Sequence, residues 1–249
     1  MCIRDRIDVI MITKNSLLPC LKESVESIFD NIPVNRLIVI DAFSNDGTVE
    51  LFEEYKNKGL NIEIHQFACG RGKAREIGIK LVRTSWFAFV DSDVILARNW
   101  FDEIKRYIGP RVGAIEGNVN KQKINPKGRA YTNCTLVRTK LVKDIKIPEE
   151  MTVLEDQFIR KWIESKGYKW LKVSKPCSIH KSQSNRVRDA FEVGRMAGKY
   201  GLIPFWKDLG VCILIPIKYL KYKENPKIYI NKLIGHLRGV LERAKRHFP

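Results

Sequence analysis

Cysteine occurs but is never paired in sequence. Cys2, Cys20, Cys69, Cys134, Cys177 and Cys212 stand at long spacings with no CxxC, so neither a zinc site nor a disulfide framework is indicated, which suits a reducing compartment. No uninterrupted apolar stretch approaches the ~18 residues that a membrane span needs; the longest, Leu209 to Ile217, has nine. Glycine is missing from the loop after the first strand-like run, Lys14-Asn15-Ser16, so the dinucleotide fingerprint is absent from the place it must occupy, and no GxxxxGK[ST] phosphate loop occurs. Acidic residues thin out along the chain: residues 1–156 hold 22 against 24 basic ones, residues 157–249 only 6 against 21. That imbalance suits an anionic partner, whether phosphates, nucleic acid or an acidic lipid surface, although solubility alone would also be served. With no secretory signal ahead of the first strand, the expected location is cytoplasmic, at most peripheral on the inner face of a membrane.

What the chain does have is enough apolar residue for a sizeable core, 44% of 249 residues, and a regular alternation of strand and helix patterns. Ile7 to Thr13 is rich in β-branched residues, and Leu18, Leu21, Val25 and Ile28 then recur at helical spacing. Arg36 to Asp41 is a second strand, followed by Val49, Phe52 and Tyr55 on a helical face. Asn61 to Gln66, the helix Lys73 to Val82 and the strand Trp86 to Asp91 continue the series. Four such units predict a mostly parallel sheet covered by helices. Beyond them the pattern predicts a helix over Asn99 to Tyr107, a strand over Val112 to Val119, a helix from Glu155 to Lys166 and a strand from Tyr168 to Val173. The expected organisation is a charged leader at residues 1–6 without structure, an α/β catalytic domain at 7–183, and a basic helical extension at 184–249.

Ligands of open parallel sheets bind outside the carboxyl ends of the strands. The polar residues there are Thr13 and Asn15 after the first strand, Asp41 ending the second, Arg75 in the helix after the third, and Asp91-Ser92-Asp93 closing the fourth. Two carboxylates one residue apart at a strand end suit a hard cation such as Mn2+ or Mg2+, which keeps positions open for diphosphate oxygens.

The ordered set Ile12-Thr13-Lys14-Asn15, Asp41-Ala42-Phe43-Ser44-Asn45-Asp46-Gly47-Thr48, Gly72-Lys73-Ala74-Arg75-Glu76-x-Gly78, Asp91-Ser92-Asp93 and Glu155-Asp156 resembles family 2 glycosyltransferases of the nucleotide-sugar-dependent GT-A type. The resemblance spans residues 7 to about 180 and implies a GT-A-like, Rossmann-like sheet and a nucleotide-diphosphate sugar donor. It implies that Thr13 and Asp41 contact the base and ribose, with Asn15 in the same set. By the same resemblance Arg75 braces the nucleotide or its phosphates, Asp91 and Asp93 bind metal and donor with His180 beside them, and Asp156 is the catalytic base of an inverting transfer. The family often has Pro-Thr-Tyr-Asn and Asp-Asp-Gly-Ser at the first two places, where this chain has Ile-Thr-Lys-Asn and Asp-Ala-Phe-Ser. A Gln-x-x-Arg-Trp motif of processive synthases is absent, which favours transfer of one sugar to a lipid-linked, glycan or polysaccharide-precursor acceptor.

Blander roles stand beside these. Thr152-x-x-Glu155 is a capping box, so Glu155 and Asp156 also serve a helix start. Arg75 fits a solvated helix face, and His180 a surface histidine. Lys181, Arg186 and Arg188 suit leaving phosphates or a basic loop, and Lys121, Lys123, Lys127 and Arg129 suit an anionic acceptor or solvent. At the C-terminus Ile230, Leu233, Ile234, Leu237, Val240 and Leu241 form an apolar stripe beside Lys232, Arg238 and Arg243. Such a helix suits an anionic membrane surface or packing on a protein. Two other functions compete: a catalytically inactive GT-A-like subunit, and a basic nucleic-acid-binding α/β module. The lack of an RNP pattern, zinc spacing or recognition helix argues against nucleic acid.

Overall fold

The computed structural model describes residues 6–181, 190–213 and 225–245; most of the leader, together with Arg186, Arg188 and the end of the apolar run at 214–217, lies outside them. Eight strands form one sheet: β1 (Ile7–Thr13), β2 (Val34–Asp41), β3 (Ile62–Gln66), β4 (Trp86–Val90), β5 (Val94–Ile95), β6 (Val112–Val119), β7 (Cys134–Arg138) and β8 (Lys169–His180), in the order β3-β2-β1-β4-β7-β6-β8-β5. The first four pair in parallel, as their strand-helix alternation requires. Helices α1 (Leu21–Asn31), α2 (Thr48–Asn57) and α3 (Arg71–Leu81) make the crossovers. Leu21, Val25 and Ile28 of α1 and Phe52 of α2 are buried in one core with Val9, Met11, Leu37, Val39, Trp86 and Ala88.

Two features depart from the sequence pattern. β7 was not anticipated: it runs antiparallel between β4 and β6, so the second half of the sheet is mixed. β8 does not stop at Val173 but continues to His180. Its register on β6 jumps from Glu116↔Lys172 to Asn118↔Cys177. The residues between bulge out of the ladder, and Pro176, which has no N–H to give, sits where none is needed. The short helices α4 (Trp100–Ile104) and α5 (Thr139–Val142) fill connections, and α6 (Glu155–Ser165) precedes β8.

The end of the sheet opposite the strand carboxyl termini is held by charge. Asp8 is fully buried and accepts hydrogen bonds from Arg36 (2.9 Å), the Asn35 amide (2.8 Å) and the Arg83 N–H (2.7 Å). The same guanidinium donates to Glu63 at 2.8 Å and to the Leu81 carbonyl at 3.0 Å. One cluster thereby ties β1, β2, β3 and the end of α3 together.

The chain divides into two compact units, Met1–Glu150 with Ile159–Ser182, and Met151–Phe158 with Gln183–Pro249. The described part of the second contains α7 (Ala190–Lys199), α8 (Phe205–Ile213) and α9 (Pro226–Lys245). Glycines let α7 and α9 touch backbone to backbone. A Cβ on Gly194 or Gly198 would strike the Lys232 or His236 carbonyl, and one on Gly235 or Gly239 the Phe191 or Arg195 carbonyl. Between α8 and α9, Asp208 is buried and bonded to Lys232 (2.6 Å) and His236 (2.7 Å). No helix among the described residues is long and apolar enough to cross a membrane.

Burial pushes the Asp8 carboxyl up, but the Arg36, Arg83 and Asn35 hydrogen bonds outweigh it and hold it below the ordinary carboxylate range. Its contribution to stability is therefore complete above the unfolded value of ~3.9 and is lost as pH falls through the lower folded value. Asp8→Ala strands the buried Arg36 and is expected to cost ~3–5 kcal/mol in denaturant unfolding at neutral pH, with the gap to the parent narrowing in acid. Gly235→Leu is expected to cost ~1–3 kcal/mol or more by forcing α7 and α9 apart, read as earlier melting of the helical signal.

Candidate active site

The loops after β1 and β2 are stitched to each other before they can meet a ligand. Asn15 accepts from the Asn45 N–H at 3.0 Å, and its own N–H donates to Ser44 Oγ at 2.8 Å. The Ser16 N–H donates to Thr48 Oγ1 at 2.9 Å and the Leu17 N–H to Asp46 at 3.0 Å. Asp46 also accepts from the Thr48 N–H and hydroxyl, so it organises the start of α2.

Asp41 is fully buried at the end of β2. Its two oxygens accept from the Thr13 hydroxyl (2.9 Å), the Ser44 N–H (2.8 Å) and hydroxyl, and the Gln66 amide (3.2 Å). Burial raises this carboxyl, but those bonds together hold it below its ordinary value. Four donors match the acceptor capacity of a carboxylate, so Asp41 first shapes the loop; a base N–H would have to displace a donor, and Gln66 is the most distant.

Arg75 projects from α3, whose Gly78 approaches Ile10 of β1 closely and whose Ile79 and Lys80 carbonyls, with that of Val82 just beyond, accept from the Lys143 ammonium. Arg75 is buried, lies over the Phe89 ring at 5.1 Å and donates to Asp91 at 3.1 Å. It is not a solvated surface charge. Its hydrogen bond braces the acidic loop.

Asp93 and His180 meet through a two-residue ladder. Val94 of β5 pairs with His180 of β8, and the Lys181 N–H donates to the Asp93 carbonyl at 2.9 Å. This places His180 Nε2 3.2 Å from Asp93 Oδ2, both about one-quarter exposed. The Asp93 hydrogen bond raises the imidazole's affinity for a proton against the opposing effect of burial, and the Asp91 and Asp93 charges add to the rise. Asn120 grips the His180 backbone at both ends, accepting its N–H at 3.0 Å and donating to its carbonyl at 2.9 Å.

The structure thus pairs Asp93 with His180 and Asp91 with Arg75. Among the described residues no three His, Cys, Asp or Glu side chains form a cage for a metal. Two converging donors, one carboxylate and one imidazole, nevertheless fit an ion such as Mn2+ or Mg2+ that takes much of its coordination from phosphates and water. Lys181 follows directly and is exposed. Glu155 and Asp156 are buried in the first turn of α6, within the segment that groups with the second unit. The residue before them, Leu154, is held at φ +63°, and Asn15 and Phe43 also lie in the left-handed region. For Leu154 and Phe43 this conformation is strained, unlike for Asn15, and strain of this kind concentrates at functional sites.

The sequence pointed to the loop Asn118 to Tyr131 as pocket-lining, but not to Glu116, Asn133 and Lys172, which complete the polar pocket there. It is lined by Glu116, Asn118, Lys123, Tyr131, Asn133 and Lys172, among others. Glu116 is buried and bonded to Lys172 (2.9 Å), the Trp170 indole (2.7 Å) and the Tyr131 N–H (3.2 Å); burial nonetheless leaves its carboxyl above the ordinary range. Asn133 accepts the Asp91 N–H on its backbone carbonyl at 3.0 Å, while its buried side-chain oxygen has no hydrogen-bond partner among the described residues. The only signal in sequence was the lysine-rich loop before it.

Residues 8–157 match the family model described as Glycosyl transferase family 2. Over 75 residues the chain is 31% identical to the Staphylococcus aureus protein named poly(ribitol-phosphate) beta-N-acetylglucosaminyltransferase TarS, a stretch that makes up 29% of this chain and 13% of that protein. Crystal structures of TarS share the fold at 21% identity. One gives a TM-score of 0.58 and covers 93% of this chain but only 43% of its own; that of TarS 1–349 in complex with UDP-GlcNAc gives 0.57, with 93% and 71% covered. The mannosyltransferase PcManGT from Pyrobaculum calidifontis, in complex with GDP-Man and Mn2+, gives 0.65 at 16% identity, with 97% of this chain and 74% of that one covered. The fold is therefore GT-A-like, and with more than half of its length matched by the family model the chain belongs to glycosyltransferase family 2.

Proposed function

We propose that this chain transfers one sugar from a nucleoside-diphosphate sugar to an acceptor hydroxyl. The observation that carries this reading is the Asp93–His180 pair, held by the β5–β8 ladder at the carboxyl ends of the strands beside the paired loops of β1 and β2. In this reading the strand ends carry a sequence of subsites. The loops around Thr13, Asn15 and Asp41 suit the nucleoside, Asp91, Asp93 and His180 suit the diphosphate, and the pocket at Asn133 and Lys172 suits the sugar and acceptor.

Asp93 and His180 would hold a divalent cation, which when bound supplies Lewis-acid stabilisation of the leaving diphosphate. Arg75 keeps Asp91 oriented toward that region, and Lys181 adds positive charge where the leaving group gains negative charge. Asp156 is assigned as the general base. It takes the acceptor hydroxyl proton as the acceptor oxygen bonds to the anomeric carbon and the bond from that carbon to the phosphate oxygen breaks, and one displacement of this kind inverts the centre. Its place inside the family match, directly after the strained Leu154, supports that assignment.

The acceptor side is basic. Lys123 lines the pocket, Lys121 and Lys127 are exposed on the same loop, and Arg129 lies over the Tyr131 ring at 5.7 Å. The relative TarS is named for a poly(ribitol-phosphate) acceptor, and a phosphate-bearing acceptor suits this loop also.

Incubation with a panel of nucleotide sugars and Mn2+ or Mg2+ is expected to release nucleoside diphosphate. Asp93→Asn should lower turnover by ~100-fold or more, and Asp156→Asn by a similar ~100-fold to 10,000-fold, with neither losing its thermal transition. Nucleotide binding without turnover in the parent would identify an inactive subunit instead, and an Asp93→Asn enzyme as fast as the parent would remove the proposed centre. Lys123→Glu is expected to raise KM for a phosphate-bearing acceptor while leaving KM for the donor unchanged.

A further inference from the structure

Helix α9 turns two different faces outward and inward, and its packing allows no exchange between them. Gly235, His236 and Gly239 are buried, and the two glycines meet the α7 backbone where any side chain would collide. Rotating the helix would drive a branched residue into that contact. The opposite face is consequently committed to the outside. It carries Ile230, Ile234, Leu237 and Leu241, which are 47%, 52%, 49% and 61% exposed and follow one another at helical spacing. Helix α8 adds Trp206, 66% exposed, and Leu209.

Charge around this stripe is one-sided. Helices α7 to α9 contain eight Lys and Arg against three acids, Glu192, Asp208 and Glu242. Each acid is bound within the same helices: Glu192 by Arg195, Asp208 by Lys232 and His236, and Glu242 by Arg195, Lys199 and Arg238. Lys227 and Arg238 fall along one edge of the apolar stripe at helical periodicity, where long basic side chains can lie over lipid with their charges among headgroups. Lys207 stands over the Trp206 ring at 5.6 Å, joining an aromatic anchor to a cation. No acid lies within the stripe.

We propose that the α8–α9 face of the second unit binds the surface of a bilayer containing anionic lipid, with Ile230, Ile234, Leu237 and Leu241 entering the interface and the bordering bases meeting headgroup phosphates. A protein partner or second copy would be served by the apolar residues alone. The arrangement of bases along one border, with every acid of the three helices neutralised internally, complements a sheet of negative charge.

The test is flotation of the full chain with vesicles of equal parts phosphatidylglycerol and phosphatidylcholine, compared with phosphatidylcholine alone. The parent is expected to float with the anionic vesicles and to be released at about 1 M salt, where screening acts within ~3 Å. Ile234→Glu with Leu237→Glu is expected to lower partitioning by about tenfold or more with an unchanged melting transition, since both side chains already face water. Trp206→Ala should give a smaller loss. Absence of the parent from anionic vesicles at low salt, or a double variant that floats as well as the parent, would overturn the proposal. So would concentration-dependent self-association in light scattering that the same double variant abolishes, because a second copy would then cover the stripe. The assay needs no nucleotide sugar, so its failure leaves the transfer reaction untouched, and failure of turnover leaves this surface untouched.

Discussion

A ladder of two residues holds the candidate centre together. β5 is only Val94 and Ile95, too short to be stable alone, yet its pairing with the last residues of β8 carries Asp93 onto His180. β8 reaches that point only because it follows β6 in parallel, absorbs four residues in a bulge and resumes at Cys177. Asn120, at the end of β6, then fixes the His180 backbone through two hydrogen bonds. The separation of Asp93 and His180 is thus set by main-chain pairing on both sides. Such rigid support is what a binding centre requires, since a carboxylate and an imidazole on free loops would spend much of their time apart.

The acids near the sheet's carboxyl end divide their work according to what surrounds them. Asp41 has as many donors as it can accept and shapes the loop after β2, while Asp46 ties that loop to the start of α2. Asp91 is committed to Arg75, which is itself held over Phe89. Asp93 alone of the four shares its carboxylate with a partly exposed imidazole. An acidic pair that looks symmetrical in sequence is therefore asymmetric in its partners, with one member braced by a buried guanidinium and the other paired with an imidazole. Asp8, at the far end of the sheet, shows the purely structural counterpart: a fully buried carboxylate whose donors leave no room for a ligand.

The sequence exposes the first half of the fold because each strand there is followed by its own crossover helix, and periodicity switches between two and 3.6 residues at visible loops. Thr13, Asp41, Arg75 and Asp91 to Asp93 are singled out as candidates by the same logic, as polar residues at strand ends. Past β4 that logic weakens. β7 pairs antiparallel with neighbours distant in sequence and has no helix of its own to mark it. Pro176 broke the apparent strand before His180, because a bulge in an otherwise continuous pairing leaves no local signature. The pocket around Glu116 and Asn133 escaped notice for a related reason. Its polar residues sit inside strands β6 and β8 or just before β7 and become a cluster only when those strands align.

The second unit shows pattern and packing answering different questions. An apolar stripe at helical spacing says that a face avoids water, but it does not say whether protein or lipid covers it. The decisive residues lie on the other side of the helix. Gly194, Gly198, Gly235 and Gly239 bring two backbones into direct contact, so α9 has already spent its inward face on α7, and the burial of Asp208 with Lys232 and His236 settles its position against α8. Large apolar residues opposite a glycine seam cannot turn inward without breaking both arrangements. Their exposure is then a consequence of the small residues behind them, and what they meet is selected by the basic border that lies beside them.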